Sequence, residues 1–240
     1  VSHAPAGYRA AWEAKPLLRL IYQDYYRRIV AACRPGRTLE IGGGSGNLKA
    51  WLPDVTATDI VAAPWLDAVA DAQTLPFADS SFDNIVMVDV LHHLSYPKRF
   101  FAEAVRVLRP DGRIVMVEPG ITPLSWLFYA LFHEEAVRMS ADPLQDAPLS
   151  DADNPWDANQ AIPTLLFHRH GPRFMAMFPD LELISRNWLS LLAYPLSGGF
   201  KPWQLLPAAL GAAVLKLEKW LLPVAGPVMA FRLMVVLRRK

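Results

Sequence analysis

The stretch Thr38-Leu-Glu-Ile-Gly-Gly-Gly-Ser-Gly-Asn47 constrains the fold more than any other part of the chain. Thr38 to Ile41 is short, apolar and β-capable, and it runs directly into Gly42, Gly43, Gly44 and Gly46. Asn47 to Leu52 then has helical character. Strand, glycine turn and helix in succession form the first βα unit of an open parallel α/β sheet. Glycines here let backbone N–H groups approach a ligand that a side chain would displace, and a following helix offers its positive end. Their spacing excludes two ligand classes. A dinucleotide fingerprint needs Gly-x-Gly-x-x-Gly, but counting from Gly42 the sixth position is Asn47, and no other register fits. The phosphate loop's Gly-Lys-Ser/Thr is absent. What is present is Glu40-x-Gly42-x-Gly44-x-Gly46, with an acid two residues before the first glycine.

A regular alternation follows. Val55 to Asp59 reads as a second strand ending on an acid, and Asp67 to Ala70 as a third, followed by Asp71-Ala72. Phe82 to Asp89 is the strongest strand, apolar at its centre as a buried parallel strand should be. Pro97 to Leu108 is helical by pattern, Arg109 to Gly112 a turn and Arg113 to Glu118 a further strand. Ahead of them, Tyr8 to Cys33 reads as one or two helices broken near Pro16. Further on, Thr164 to Phe178 is helical, Leu181 to Leu189 a sixth strand and Met229 to Leu237 the last. The expected fold is α/β: a doubly wound, Rossmann-like, mostly parallel seven-stranded sheet, with N-terminal helices and a helical insertion before the last strand. Residues 1–240 read as one domain, with a core over 34–119, a lid or cap region over 120–180 and an apolar insertion over 195–227.

A hydrophobic share of 52% with 20% charged residues supplies ample core for 240 residues. The net charge of +1 gives no global pull toward nucleic acid. A single cysteine, Cys33, allows no intrachain disulfide and no cysteine-built metal site. With no basic-then-apolar leader pattern, a reducing, cytoplasmic setting is the simpler expectation. The uncharged runs Asn187–Phe200 and Pro202–Leu215 fall short of the ~18–20 apolar residues that a membrane span needs. Glu134 to Asp157 carries seven acids against Arg138 alone, with Pro143, Pro148 and Pro155, and reads as a mobile or lid-like connection. Leu196 to Lys240 holds seven basic residues and one acid, Glu218. Within it Pro202–Leu222 reads as an amphipathic helix pair, with Lys201, Lys216 and Lys219 on a polar side. Such a basic, Trp- and Leu-rich region suits the surface of an anionic membrane. A helical layer over a substrate pocket, or a dimer contact, stays open beside that reading.

Open α/β sheets bind ligands at the carboxyl ends of their strands, where strand order reverses. Those ends carry Gly42–Gly46, Asp59, Asp71, Asp89 with His92 and His93, and Glu118. From Arg37 to Pro119 this row resembles the class I S-adenosylmethionine (SAM)-dependent methyltransferases. The runs Asp71–Asp83 and Val90-Leu-His-His-Leu94 are similar to the subgroup that includes quinone and sterol methyltransferases. Arg106 to Gly112 fits too, although Asp111 stands where glycine is usual.

The resemblance implies SAM as cofactor, with S-adenosyl-L-homocysteine as product. Gly42, Gly44 and Gly46 would border the methionine part, which Glu40 would orient through its charge. Asp59 would take both ribose hydroxyls, with Ile60 beside it. Asp71 would accept from the adenine amino group, with the Ala72 backbone at the ring edge and Val88 completing the site. His92 and His93 are the candidates for a general base, since imidazole titrates near neutrality. The alternative is that either one caps a helix or supports the cofactor. Glu118 is a second candidate, and Asp89 reads as a backbone-contact position.

No metal site is expected: His133-Glu134-Glu135 reads as a solvated helix end, and His168 and His170 as ordinary polar residues. No Asn-Pro-Pro-Tyr motif follows the fourth strand, which argues against the exocyclic amines of bases as acceptor. The function expected is methyl transfer to an apolar or lipid-linked small molecule, in the cytoplasm or peripherally at the inner face of a membrane through residues 196–240. A soluble secondary metabolite or sugar as acceptor, and a non-catalytic SAM-fold binding protein, are the alternatives.

Overall fold

A computed structural model describes residues 5–132, 134–150, 154 and 157–240. Seven strands, β1 (Thr38–Ile41), β2 (Val55–Asp59), β3 (Ala68–Val69), β4 (Phe82–Val88), β5 (Leu108–Pro119), β6 (Leu181–Leu189) and β7 (Arg232–Arg239), form one sheet in the order β3-β2-β1-β4-β5-β7-β6. Strands β1 to β5 pair in parallel, while β7 lies antiparallel between β5 and β6. The strand order reverses between β1 and β4, so the crevice that such sheets use for ligands opens beyond Ile41 and Val88.

The helices are α1 (Pro5–Ala14), α2 (Pro16–Ala32), α3 (Pro97–Val107), α4 (Pro123–Phe132), α5 (Ile162–Thr164), α6 (Gly171–Met177), α7 (Ala193–Ser197) and α8 (Ala208–Met229), with a π-helical turn over Leu165–Arg169. Successive strand residues face opposite sides. On one side Leu39, Ile85, Ile114, Leu233 and Val235 pack with Phe100, Phe101 and Ala104 of α3 and with Phe174 of α6. On the other, Val86, Val115, Val117 and Met234 pack with Leu17, Leu18, Ile21 and Tyr25 of α2. Burial on both faces is why β4 and β5 read as continuous apolar runs. Pro16, fixed in φ and lacking an N–H, starts α2, as a first-turn proline can.

Three sequence expectations are corrected. After the glycine turn there is only a single 3₁₀ turn, Asn47–Ala50. Pro53 and the start of β2 at Val55 leave no room for a longer helix, so the turn's own backbone must meet a ligand without a helix dipole. Arg109 to Gly112 is an irregularity inside β5: Phe82 pairs with Leu108, Asn84 with Arg113, and Asp111 takes φ 63°. Aspartate tolerates that left-handed conformation, which explains how it replaces the usual glycine. Finally, the expected helix pair over 202–222 is one helix, α8, which runs through Pro223 and Pro227 to Met229, so that β7 begins at Arg232. Both prolines are on the exposed side of α8, where no packed neighbour opposes the local bend a ring requires.

Candidate active site

A cavity of about 1050 Å³ opens at the reversal point. Two chemically distinct groups of residues line it. One comprises the glycine turn, Glu40, Asp59, Ile60, Asp71, Ala72 and Val88; the other is aromatic, with Tyr8, Tyr22, Phe128, Tyr194, Phe200 and Trp203.

The glycine turn is held from β2. The N–H of Gly43 donates to the Thr58 carbonyl (2.8 Å), and that of Gly44 to Asp59 Oδ2 (3.0 Å). Gly42 sits at φ +69°, and a Cβ there would lie 2.1 Å from Val90 Cγ2, so only glycine fits. Asp59 Oδ1 accepts from the N–H of Val61 (3.1 Å). Each carboxylate oxygen of Asp59 is thus anchored by one backbone donor and keeps further acceptor capacity at the cavity wall. Asp71 Oδ1 accepts from the backbone and side-chain amides of Gln73 (2.8 and 3.2 Å), and Gln73 Oε1 accepts from the N–H of Tyr96 (2.7 Å). The second and third acids are therefore preset by their own loops.

Glu40 differs. It is buried, lines the cavity, and its Oε2 has no hydrogen-bond partner. Burial is the main cause that raises its carboxyl to about 8, with Asp59 and Asp67 adding to the rise and Lys49 opposing it. A buried acceptor left without a donor is costly, and it suits a ligand that brings a cation.

The two histidines separate. Nδ1 of His92 lies 2.8 Å from Glu118 Oε2 and its Nε2 lies 3.5 Å from Glu135 Oε2. Burial disfavours the imidazolium, but the two carboxylates outweigh it and raise the ring to about 10. His92 is therefore held on both ring nitrogens by carboxylates that favour its charged form, which disfavours the ring as a base. His93, its ring centroid 4.2 Å away, is lowered to about 4 by burial and by the charge of His92. It is neutral, and its Nδ1 carries no hydrogen bond. Glu118 is buried and absent from the cavity wall, and its Oε1 accepts from the N–H groups of Val90 and Leu91 (2.9 and 2.8 Å). It positions the loop and His92.

Of the His133-Glu134-Glu135 group, His133 lies outside the described residues. Glu134 and Glu135 line the cavity, and Glu135 joins both His92 and Gln160. His168 stacks on Trp188, with ring centroids 4.6 Å apart.

Sequence reasoning missed Arg232. Its guanidinium is 2% exposed and grips Asp89 with both terminal nitrogens, Nη2 to Oδ2 at 2.8 Å. Tyr22 donates to Asp89 Oδ2 (3.0 Å), and Arg232 lies 4.1 Å over the Tyr194 ring. Asp89, at φ 61°, is therefore the anchor of a buried ion pair at the cavity wall and not merely a backbone contact. The one available signal was a lone arginine at the head of the apolar run Leu233 to Leu237.

A family model described as a methyltransferase domain matches residues 39–116, the segment that carries the glycine turn and the acids. Over that segment, about a third of the chain, the sequence is similar to methyltransferase domains. Over 110 residues the chain is 31% identical to the ubiquinone/menaquinone biosynthesis C-methyltransferase UbiE of Laribacter hongkongensis, covering 37% of this chain and 45% of that protein. A shorter match, 46% over 56 residues, is to the phthiotriol/phenolphthiotriol dimycocerosates methyltransferase 1 of Mycobacterium ulcerans, covering 23% of this chain and 21% of that one. The chain thus spans about half the length of the UbiE relative that it matches. In fold, the chain is similar to the geranyl diphosphate C-methyltransferase from Streptomyces coelicolor, solved with Mg²⁺, geranyl diphosphate and S-adenosyl-L-homocysteine. That likeness has a TM-score of 0.55 at 12% identity, over 92% of this chain and 80% of that one.

Proposed function

We propose that this chain is a SAM-dependent methyltransferase acting on an apolar or lipid-linked small molecule. The observation that carries the reading is the cavity itself, which joins the glycine turn and the carboxylates of Glu40, Asp59 and Asp71 to an aromatic chamber. SAM, when bound, supplies a sulfonium methyl for in-line displacement. Glu40, with its unpartnered buried oxygen, would meet the positive methionine part, and Gly42, Gly44 and Gly46 would border it. Asp59 would accept the ribose hydroxyls and Asp71 the adenine amino group, with Ile60, Ala72 and Val88 in apolar contact. Residues 34–119 are then the cofactor-binding core and 120–180 its cap.

The aromatic wall would hold the acceptor in line and keep water out, which supplies much of the rate in a displacement of this kind. His93 is the neutral imidazole available to an acceptor that must lose a proton; His92 is not. An apolar acceptor also accords with relatives whose names refer to quinone biosynthesis and to phthiotriol dimycocerosates. The test is transfer of a radiolabelled methyl group from SAM to a prenylated hydroquinone and, in parallel, to a free sugar. Label in the prenylated compound alone is expected. Label in the sugar alone would replace this reading with the soluble-acceptor one, and label in neither would remove these acceptors from it.

A further inference from the structure

Helix α8 presents an apolar face to the outside. Its buried residues are Gly211, against Leu17 and Leu20 of α2, Gly226, against Trp188 of β6, and Glu218, whose carboxylate takes the N–H groups of Leu192 and Ala193. Opposite them Leu210, Leu217, Trp220, Val224 and Val228 follow helical spacing, with Trp220 77% and Val224 85% exposed. Helix α4, packed against α8, carries no charged residue and adds exposed Trp126, Leu127 and Leu131. No residue of α8 lines the cavity, so a bound acceptor does not account for this face.

We propose that the α4–α8 face docks on an anionic lipid bilayer and that the cavity takes its acceptor from that bilayer; the second half rests on the methyltransferase reading above. Charge selects the occupant. The one acid of α8, Glu218, is turned inward, Lys216 is exposed on one flank of the stripe, and half-exposed Lys219 on the same flank pairs with Asp24 (2.7 Å). Basic residues beside an apolar, tryptophan-bearing stripe match anionic headgroups over acyl chains. Helix α8 would lie in the bilayer surface, for among the described residues no helix is long and apolar enough to cross a membrane. The cavity wall reaches α4: Phe132, its last residue, lines the cavity and is exposed.

The test is co-sedimentation of the full chain with vesicles of phosphatidylcholine, with and without phosphatidylglycerol. Two double variants are compared, Trp220→Asp with Val224→Asp and Leu127→Asp with Leu131→Asp, and Ile184→Asp on exposed β6 serves as control. Circular dichroism and SAM calorimetry check that each remains folded and loaded. Wild type and the control should bind anionic vesicles, and each double variant should lose about tenfold or more of that binding. Methyl transfer to a vesicle-embedded prenylated acceptor should fall in parallel, with transfer to a short-chain soluble analogue unchanged. Wild type that ignores vesicles, or double variants that bind like wild type, would overturn the proposal. So would a wild-type dimer that both double variants dissociate without any vesicle binding, since the face would then meet a second copy. Vesicle binding without SAM binding would leave the docking surface standing and remove the methyltransferase reading.

Discussion

Glu40 is the residue whose ionisation a cationic ligand must change. With its carboxyl raised to about 8, chiefly by burial, it carries its proton at pH 7 in the free protein. A positive group placed beside Oε2 favours the carboxylate and expels that proton. Titration calorimetry with SAM at pH 7, in buffers of different ionisation heat, should therefore report release of about one proton per ligand in wild type and none in Glu40→Gln. Equal heats across buffers in wild type would place the ligand's charge elsewhere. His92 makes an opposite kind of prediction. Burial opposes its charged form, but Glu118 and Glu135 raise its pKa to about 10. A histidine raised in the folded state contributes stability that is complete below the unfolded value of about 6.5 and is lost as pH climbs through the folded one. The gap in thermal midpoint between wild type and His92→Gln should be widest near pH 6 and should close toward pH 10. A gap that stayed constant or grew would mean that the ring is neutral and free to act as a base. Neither histidine's state could be read from the run Val90-Leu-His-His-Leu94, because it depends on carboxylates at 118 and 135 that only the fold brings near.

Among the elements, the loop that follows α7 is held by an unusual device. Lys15, between α1 and α2, donates its ammonium to the carbonyls of Ser197 (2.6 Å), Gly199 (2.6 Å), Lys201 (2.8 Å) and Trp203 (3.0 Å). That loop lines the cavity, so the N-terminal helices set the shape of the aromatic chamber. Lys15→Met should cost about 1–3 kcal/mol in urea denaturation, because buried carbonyls lose a charged donor. It should also speed amide exchange over 198–203 while leaving that of β1 and β4 unchanged. Unaltered exchange in the loop would show that the carbonyls are satisfied without Lys15. A lysine before a proline carries no hint of this role, which spans more than 180 residues of chain. Where an element's ends are set by its own residues, they were legible: Leu181–Leu189 and Val55–Asp59 stand where alternation and flanking turns put them. Where length or context decides, they were not. The room between Gly46 and Val55 allows a 3₁₀ turn and no more, and α8 passes two prolines that in isolation read as stops.

At the scale of the molecule, the glycine-and-carboxylate half of the cavity was written in local order along the chain and the aromatic half was not. Asp59 and Asp71 stand at or beside the ends of successive strands, and parallel topology alone brings them to one rim together with the glycine turn. The aromatic half is assembled from α1, α2, α4, the 198–203 loop and the start of β7, pieces whose meeting depends on tertiary packing. The Asp89–Arg232 pair, 143 residues apart, is its clearest instance. Central to everything above is that this rim grips SAM, and calorimetric titration of the full chain with SAM, wild type beside Asp59→Ala, tests it most directly. Saturable one-site binding is expected, weakened about 10-fold to 100-fold by the substitution as charge-assisted hydrogen bonds to the ribose are lost. No binding by the folded wild type, or equal affinity in the variant, would contradict it.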